Sequence, residues 1–345
     1  MNEIKNKKVF DGVKTFLTRT RVLDSIGYRN ILLYPLATES IVCFDYLTLD
    51  EALESGVIEV TEKPGGSVPE LEVENKSTKA ILLLNGEEIK GGRQNRTLNT
   101  DILVKPKTKI TIPVSCTERG RWGYAQEAPP GKAEPVMKSA EYISPYSMRK
   151  NISKGVGQSL GMGAGFQASQ SRVWQASSDY HASYNVPTRT GAIDDVFNAK
   201  ESDIRKYLDA LRPDKDTWNG MAVVIDNKFV GLDIFDSTVI MAQLWDKLVR
   251  SYALDALRGG SGCKFDKKAI LETIDAAISA SMKAYKSVSL GYDVRIEAQN
   301  LLGSALAFRK INIYGVAHLS LFSKEGKQQS KSKMSSATER MKRST

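Results

Sequence analysis

The chain has 345 residues, of which 41% are hydrophobic and 26% charged, a composition that excludes a wholly disordered or fibrous protein. Its longest uninterrupted apolar run, Ile31 to Ala37, is far shorter than the roughly 18–20 residues that cross a bilayer. The first thirty residues carry scattered charge and no apolar central region, which argues against a secretory signal peptide. We therefore expect a cytoplasmic protein without a membrane span.

Cysteine and histidine are scarce and scattered. The three cysteines, Cys43, Cys116 and Cys263, are too far apart to build a disulfide framework and fit a reducing compartment. The two histidines are His181 and His318, and neither belongs to a pair with metal-ligand spacing. The sequence predicts no metal site and identifies no cofactor.

The formal net charge of +9 is unevenly distributed. Seven basic and two acidic residues lie between Ser323 and Thr345, which leaves only +4 on the rest of the chain. This Lys/Ser/Gln-rich end (323–345) predicts a disordered basic tail. It is either a solvated terminus or a segment that contacts nucleic acid or an acidic partner.

The N-terminal third favours strands. Residues 1–30 are interpreted as an N-terminal extension and residues 31–125 as a β-rich portion. Short runs of β-forming residues separated by turn residues predict strands at Leu71–Glu74, Ala80–Leu84, Asp101–Val104 and Lys109–Cys116. Their close spacing favours antiparallel hairpins or a small β-sandwich over βαβ units. Alternation in the last strand places Cys116 toward a core, where a thiol behaves as a small hydrophobe.

Residues 126–192 are poor in apolar periodicity and rich in Gly, Ser, Pro and Tyr, which predicts a flexible insertion. The glycines are densest between Gly155 and Gly165. No strand precedes them and no Gly-Lys-Ser/Thr follows, so they do not make a phosphate-binding loop. A mobile surface loop is the favoured interpretation.

Residues 193–322 predict an α+β portion that shares the core. A helix is expected at Val196–Leu211 and a hairpin at Met221–Leu232. Apolar residues three or four apart predict two core-facing helices, Met241–Tyr252 and Leu271–Tyr285. Strands should follow at Val294–Ile296, Ser304–Phe308 and Ile311–Phe322. The predicted fold class is α+β, with an antiparallel β-sandwich-like N-terminal portion packed against helices from the C-terminal half.

Polar residues are concentrated between Leu84 and Trp122, hereafter the polar segment. Its first part, Leu84 to Arg96, leaves a strand, turns through glycines and carries carboxylates, arginines and amides. Its second part, Pro113 to Trp122, adds a carboxylate, two arginines and an indole. If the intervening strands pair as a hairpin, the two parts converge at related ends of one sheet.

These residue types suit an anionic, planar ligand. Arginines bind phosphate or carboxylate through paired hydrogen bonds, an indole stacks on a ring, and a carboxylate acts as acid or base. The polar segment therefore predicts a site for a phosphorylated small molecule with Glu88 or Glu118 as catalytic acid or base. The predicted ligand-binding residues are Glu87, Arg93, Gln94, Asn95, Arg96, Arg121 and Trp122. A structural ion-pair network is the alternative use of the same residues.

A third hypothesis is a thiol mechanism that pairs Cys116 with His318. The alternation of His318 with Val316, Ser320 and Phe322 favours instead a histidine that is hydrogen-bonded in the core. Both interpretations of His318 remain open at the level of the sequence.

Several strings of this sequence resemble a bacterial family, the ARG and rhodanese-phosphatase-superfamily-associated protein domain. They are Asn85–Glu88, Gly91–Arg96, Ile112–Trp122, Gln170–Trp174 and the helix Phe235–Leu257. The family's association with ADP-ribosylglycohydrolases and phosphatases implies a setting in ADP-ribose or nucleotide processing, and it implies no particular catalytic residues.

Resemblance and residue chemistry together predict a domain that binds or processes an ADP-ribose-like or other phosphorylated nucleotide ligand. The alternative is a non-catalytic interaction module, in which the polar network is structural and the basic tail contacts nucleic acid.

Overall fold

A computed structural model describes residues 3–39, 44–124, 137–212, 217–260 and 262–324. Cys43, residues 125–136 and residues 325–345 of the predicted basic tail lie outside the described residues. The helices are α1 (Glu3–Thr18), α2 (Leu49–Glu54), α3 (Tyr146–Gly161), α4 (Gln170–Tyr184), α5 (Ile193–Ala210), α6 (Thr238–Ala256) and α7 (Lys267–Ile278). The strands are β1 (Thr20–Val22), β2 (Ile26–Tyr28), β3 (Ile31–Thr38), β4 (Tyr46–Thr48), β5 (Ile58–Glu62), β6 (Glu70–Asn75), β7 (Ala80–Leu83), β8 (Glu87–Lys90), β9 (Arg96–Leu98), β10 (Ile102–Val104), β11 (Thr108–Cys116), β12 (Lys138–Ile143), β13 (Gly220–Ile225), β14 (Lys228–Phe235), β15 (Ser281–Lys286), β16 (Tyr292–Glu297), β17 (Leu301–Lys310) and β18 (Ile313–Ser323). The predicted α+β class is confirmed.

The largest sheet is antiparallel, with strand order β1-β3-β13-β14-β18-β17-β16-β15 and β2 paired to β3. Its central strands are apolar on both faces. In β13, Met221 and Val223 join the core cluster with α3, α4, α5 and α6, whereas Ala222 and Val224 join the cluster with α1 and α7. Helices therefore cover both faces of this sheet.

The N-terminal residues are part of this sheet and of its cover. Val9 and Val13 of α1 are fully buried against it, and β1 and β2 both pair with β3. The described residues 3–30, which were interpreted from the sequence as an N-terminal extension, therefore pack on the large sheet and pair with it. The apolar stripe of α1 is spaced among many lysines, which masks it in the sequence.

Two smaller sheets form the predicted sandwich-like portion, with strand orders β10-β7-β4 and β12-β8-β9-β11-β6-β5. Their pairs are antiparallel except β4 with β7. Apolar side chains from both sheets form one core cluster that includes Ile81, Val104, Val73 and Val114. This arrangement holds the polar segment, which supplies β8, β9, β10 and β11.

Two local predictions are wrong. Leu271 to Tyr285 is not one helix, since α7 ends at Ile278 and Met282 and Tyr285 belong to β15. The apolar residues there fit a helical and an alternating pattern equally well, and Ser279 ends the helix. The surface loop expected at Gly155–Gly165 is helical through Gly161.

The second error has a physical reason in the packing of α3. Ile152, Val156 and Leu160 are buried at four-residue spacing and hold the helix on the core, which offsets the low helix propensity of the glycines between them. With β12 and α4, α3 gives regular structure to much of the region that was expected to be a flexible insertion.

Candidate functional site

The two parts of the polar segment meet because their strands are neighbours. β11 pairs with β9, which places Cys116 opposite Arg96, and β9 pairs with β8. Beyond these strands the Gln94 Nε2 atom donates a hydrogen bond to the Glu118 carbonyl at 2.9 Å. The Asn95 N–H donates to Glu118 Oε2 at 3.1 Å. The expected convergence is present.

Arg121 and Glu118 form a complete polar unit. Arg121 donates from Nε and Nη2 to the two carboxylate oxygens of Glu118, at 2.9 and 2.7 Å. Its Nη1 donates to the carbonyls of Gly92 and Gly123. Burial by itself raises the pKa of Glu118, but the bonds from Arg121 and the Asn95 N–H bring that pKa below its ordinary value. Glu118 is therefore ionised at neutral pH.

Arg96 lies in the interior beside Glu62, a β5 residue that the sequence did not single out. Arg96 Nη1 donates to Gln94 Oε1 at 3.1 Å, and Nη2 lies 3.8 Å from Glu62 Oε1. In the described part of the chain, Arg96 Nε and Nη2 and Glu62 Oε2 make no hydrogen bond.

Cys116 Sγ donates a hydrogen bond to the same oxygen, Gln94 Oε1, at 3.2 Å. Burial raises the pKa of Cys116 to about 11, so the thiol stays protonated.

Trp122 is 52% exposed and marks the outer end of this cluster. The guanidinium carbons of Arg93 and Arg96 lie 5.8 and 5.9 Å from the centroid of its ring, within the range of cation–π attraction. Arg93 also approaches the ring of Tyr124, at 5.7 Å. The predicted arginines and indole are thus together, with Arg96 inside and Trp122 at the surface.

Glu87 and Glu88 lie deeper, at the start of β8. Glu88 accepts hydrogen bonds from the hydroxyls of Thr117 (2.8 Å) and Ser144 (2.7 Å). Burial raises the pKa of Glu88 to about 8, so this carboxyl is protonated at neutral pH. Burial also raises the pKa of Glu87, which accepts from the Leu84 N–H at 2.8 Å. Both carboxyls are buried.

A groove of about 570 Å³ opens beside the Arg121–Glu118 unit. Lys90, Gly91, Asn95, Glu118 and Arg121 line it from the polar segment, and its other walls come mainly from β12 and α5, with Arg250 of α6. Its basic lining residues are Lys90, Lys138, Arg121 and Arg250, and its acidic ones are Glu118, Glu141, Asp194, Asp195 and Glu201.

Most charges of the groove are paired within the protein. Lys90 lies 2.9 Å from Asp194 Oδ1, and Arg250 pairs with Glu201. Lys138 is exposed and forms no ion pair with any residue that the structure describes. Of the predicted site residues, Asn95, Glu118 and Arg121 line the groove. Arg93, Gln94, Arg96 and Trp122 form the neighbouring cluster, and Glu87 and Glu88 lie in the interior.

A buried network that the sequence did not reveal lies between the polar segment and the large sheet. His318 Nδ1 lies 2.8 Å from Asp101 Oδ2, and its Nε2 lies 3.2 Å from Asp233 Oδ1. Arg149 donates to both oxygens of Asp233, at 2.5 and 3.2 Å. Burial alone lowers the pKa of His318, but Asp101 and Asp233 raise it to about 9. The imidazole is therefore charged at neutral pH.

The hydrogen bonds of His318 and Cys116 thus belong to different networks. In the sequence, the one signal for the buried network is a charged residue inside an apolar string, such as Asp233 between Leu232 and Ile234. Burial of a lone charge requires a partner, but the sequence does not name that partner.

Neither a metal centre nor a membrane span is found in the described ranges. No group of three or more His, Cys, Asp or Glu residues there has an arrangement that could hold a metal ion. No helix in those ranges is long and apolar enough to cross a membrane.

Residues 19–322 match the sequence family described as ARG and Rhodanese-Phosphatase-superfamily-associated Protein domain. The chain belongs to this family. The match includes the whole polar segment, the groove and the buried network. No curated protein and no solved structure shows a significant match. The description of this family states an association with the ARG and rhodanese-phosphatase superfamily, and it does not specify a reaction.

Proposed function

We propose that this chain binds an ADP-ribose-like or other phosphorylated nucleotide in the groove beside Arg121 and Glu118. The observation that carries the proposal is the mixed lining of the groove, with four basic and five acidic residues around about 570 Å³. Small-molecule sites typically enclose roughly 300–1,000 Å³. The volume therefore suits a ligand of nucleotide size.

Mixed charge favours a sugar phosphate over a bare anion. Basic side chains bind phosphate oxygens, and carboxylates accept hydrogen bonds from ribose hydroxyls. Lys138, whose ammonium group is exposed and unpaired among the described residues, is the proposed phosphate contact. Asp195 is the proposed ribose contact, and the exposed ring of Trp122, adjacent to Arg121 in the chain, is the proposed stacking surface for a base.

Glu118 and Glu88 are the proposed acid–base pair. The pKa of Glu118 is below its ordinary value and that of Glu88 is raised to about 8. Two carboxyls whose environments separate their pKa values in this way suit the roles of base and acid. Glu118, on the groove wall, is the base. Glu88 holds a proton behind the hydroxyls of Thr117 and Ser144.

The test is a thermal-shift and calorimetric comparison of ADP-ribose, ribose 5-phosphate and adenosine. A ligand at 100 times its Kd stabilises the folded state by about 2.7 kcal/mol, so ADP-ribose should raise the melting temperature most. Lys138→Gln should weaken binding. Lys228→Gln, at an exposed lysine outside the groove, should leave it unchanged. No shift with any phosphorylated ligand at millimolar concentration would refute the proposal.

The second candidate function is a non-catalytic interaction module. It is favoured by the complete hydrogen bonding of Arg121, which suits a structural network. In this alternative the basic tail recruits nucleic acid, so deletion of residues 323–345 should abolish salt-sensitive binding to DNA or RNA. Equal binding by full-length and truncated proteins would exclude it.

A further inference from the structure

A second cavity, of about 690 Å³, lies between α3 and the strands β15, β16 and β17. We call it the basic cavity. It shares no lining residue with the groove. Its charged lining residues are the basic Lys150, Lys154, Lys283, Arg295 and Lys324 and the acidic Glu297.

The lysines of the basic cavity exceed the carboxylates available to them. Lys324 Nζ lies 2.8 Å from Glu297 Oε1. Lys324, with weaker contributions from Lys283 and Lys154, holds the pKa of Glu297 below its ordinary value. Three ammonium groups therefore gather around one carboxylate.

Two of those lysines and a third neighbour have no acceptor of their own. Within the described residues, the ammonium groups of Lys150, Lys154 and Lys283 make no hydrogen bond or ion pair. Burial lowers the pKa of Lys150, and the nearby charge of Lys154 lowers it further, although Asp255 acts in the opposite direction. The cavity thus concentrates positive charge that the protein itself leaves unneutralised.

Arg295 lies on the β16 side of the cavity and donates its hydrogen bonds to protein acceptors. Its Nε and Nη2 each lie 2.6 Å from an oxygen of Asp293, and Nη2 donates to the Thr100 hydroxyl at 3.0 Å. Its Nη1 faces the Ser153 hydroxyl at 3.4 Å. Because these bonds satisfy the guanidinium within the protein, Arg295 forms part of the cavity wall, and the lysines are the basic groups that remain for a ligand.

Glycines keep the α3 side of the cavity open. Gly157 and Gly161 are one turn apart on α3 and both line the cavity. A Cβ atom added at either position would meet nothing within 4 Å. Each glycine inside a helix costs roughly 0.5–1 kcal/mol relative to alanine, so this face gives up stability where it gains space. Gly157 and Gly161, which belong to the glycine-rich run of the sequence, thus leave open space at the basic cavity.

We propose that the basic cavity binds a compact polyanion, a small molecule that carries two or more linked phosphate groups. Phosphate oxygens would supply the acceptors that Lys150, Lys154 and Lys283 lack, and lysine binds phosphate as a point charge. Non-specific binding of single-stranded nucleic acid uses a row of aromatic side chains for stacking. Tyr285 is the one aromatic residue among the described lining residues.

The direct test is calorimetric titration of the full-length protein with inorganic tripolyphosphate and with inorganic phosphate, at low and at physiological salt. Tripolyphosphate should bind more tightly, and both affinities should fall as salt rises. Lys154→Gln/Lys283→Gln should bind tripolyphosphate roughly tenfold more weakly or worse, since it removes two charge-assisted contacts.

Two control variants remove lysine charges at positions outside the basic cavity. Lys331→Gln/Lys333→Gln removes two charges from the basic tail, and Lys228→Gln removes one from an exposed position that lines neither the groove nor the basic cavity. Both should bind tripolyphosphate as the wild type does. Gly157→Leu fills the open space without removing a charge, so it should weaken binding. Its melting temperature should be unchanged or higher, because leucine is a better helix former than glycine.

Three results would overturn the proposal: no binding of tripolyphosphate at millimolar concentration and low salt, equal binding by wild type and the Lys154→Gln/Lys283→Gln variant, or loss of binding in the tail variant alone. An RNA oligonucleotide that binds the protein when tripolyphosphate does not would also overturn it. ADP-ribose also carries two linked phosphate groups, so the variants separate the two proposals. Lys138→Gln should weaken ADP-ribose binding in the groove, whereas Lys154→Gln/Lys283→Gln should weaken tripolyphosphate binding in the basic cavity.

Discussion

The Arg121–Glu118 unit and the basic cavity use positive charge in opposite ways. Arg121 donates every hydrogen bond that the structure gives it to protein oxygens, of Glu118, Asn95 and two glycine carbonyls. Lys154 and Lys283 have no protein acceptor among the described residues. A neutralised cation stabilises the fold and shapes the groove, whereas an unneutralised one costs stability through repulsion and is available to a ligand. Substitutions should therefore separate the two regions by their effect on unfolding.

The largest loss of stability is expected for Arg149→Met, in the buried network beneath the polar segment. This change leaves the Asp233 carboxylate buried without its guanidinium partner, which typically costs about 3–5 kcal/mol. Urea unfolding should show a strongly lowered midpoint, and Arg172→Met, at an exposed position, is the matched control. Equal midpoints for the two variants would show that the network does not stabilise the fold.

Arg121→Gln should cost less, about 2 kcal/mol, because Arg121 is partly exposed but leaves Glu118 without its charged partner. The measurement is again the urea midpoint, against the wild type. A raised midpoint would contradict the comparison, since it would mean that Arg121 is held for a ligand at the expense of stability.

The third prediction uses the pH dependence of stability. The pKa of Glu88 is about 8 in the folded protein, well above its ordinary value. The folded state therefore binds the proton more tightly, and stability falls as pH rises from about 4.5 toward 8. His318, with a folded pKa of about 9, adds stability below about 6.5 that is lost as pH rises through 9.

Glu88→Gln isolates the first of these contributions, because glutamine cannot ionise. For both wild type and Glu88→Gln, the free energy of unfolding should be lower at pH 9 than at pH 5, since His318 is present in both. This decrease in the free energy of unfolding should be smaller for Glu88→Gln than for wild type, by at least about 1 kcal/mol. Identical falls would show that Glu88 ionises in the folded protein as easily as in the unfolded chain.

The smallest effect is expected in the basic cavity. Lys154→Gln and Lys283→Gln each remove a charge that has no acceptor in the described structure, so the free energy of unfolding should change by less than about 0.5 kcal/mol. Any change should be toward greater stability at low salt, where repulsion between ammonium groups is screened least. A clear loss of stability would mean that these lysines are structural.

Local patterns in the sequence were enough to predict some of these features. The hairpin of β13 and β14, the helix α6 and the meeting of the two parts of the polar segment follow from alternation, helical spacing and the pairing of neighbouring strands. The division of the chain at residues 125 and 192 stays a prediction.

The buried network and the basic cavity could not be predicted, because each joins residues far apart in the chain. Asp101 and His318 are separated by 217 positions, and the basic cavity takes its lysines from α3, β15 and Lys324. No local period records such contacts. The helix α3 was missed because its glycines, which open the cavity, outweigh its buried residues in a sequence pattern.

The most direct test of ligand binding in the groove is a crystal structure of the full-length protein grown with ADP-ribose. The proposed function predicts electron density in the groove, with phosphate near Lys138, ribose near Asp195 and Glu118 facing a ligand hydroxyl. Density for ADP-ribose in the basic cavity alone, or in neither place at millimolar ligand, would contradict it.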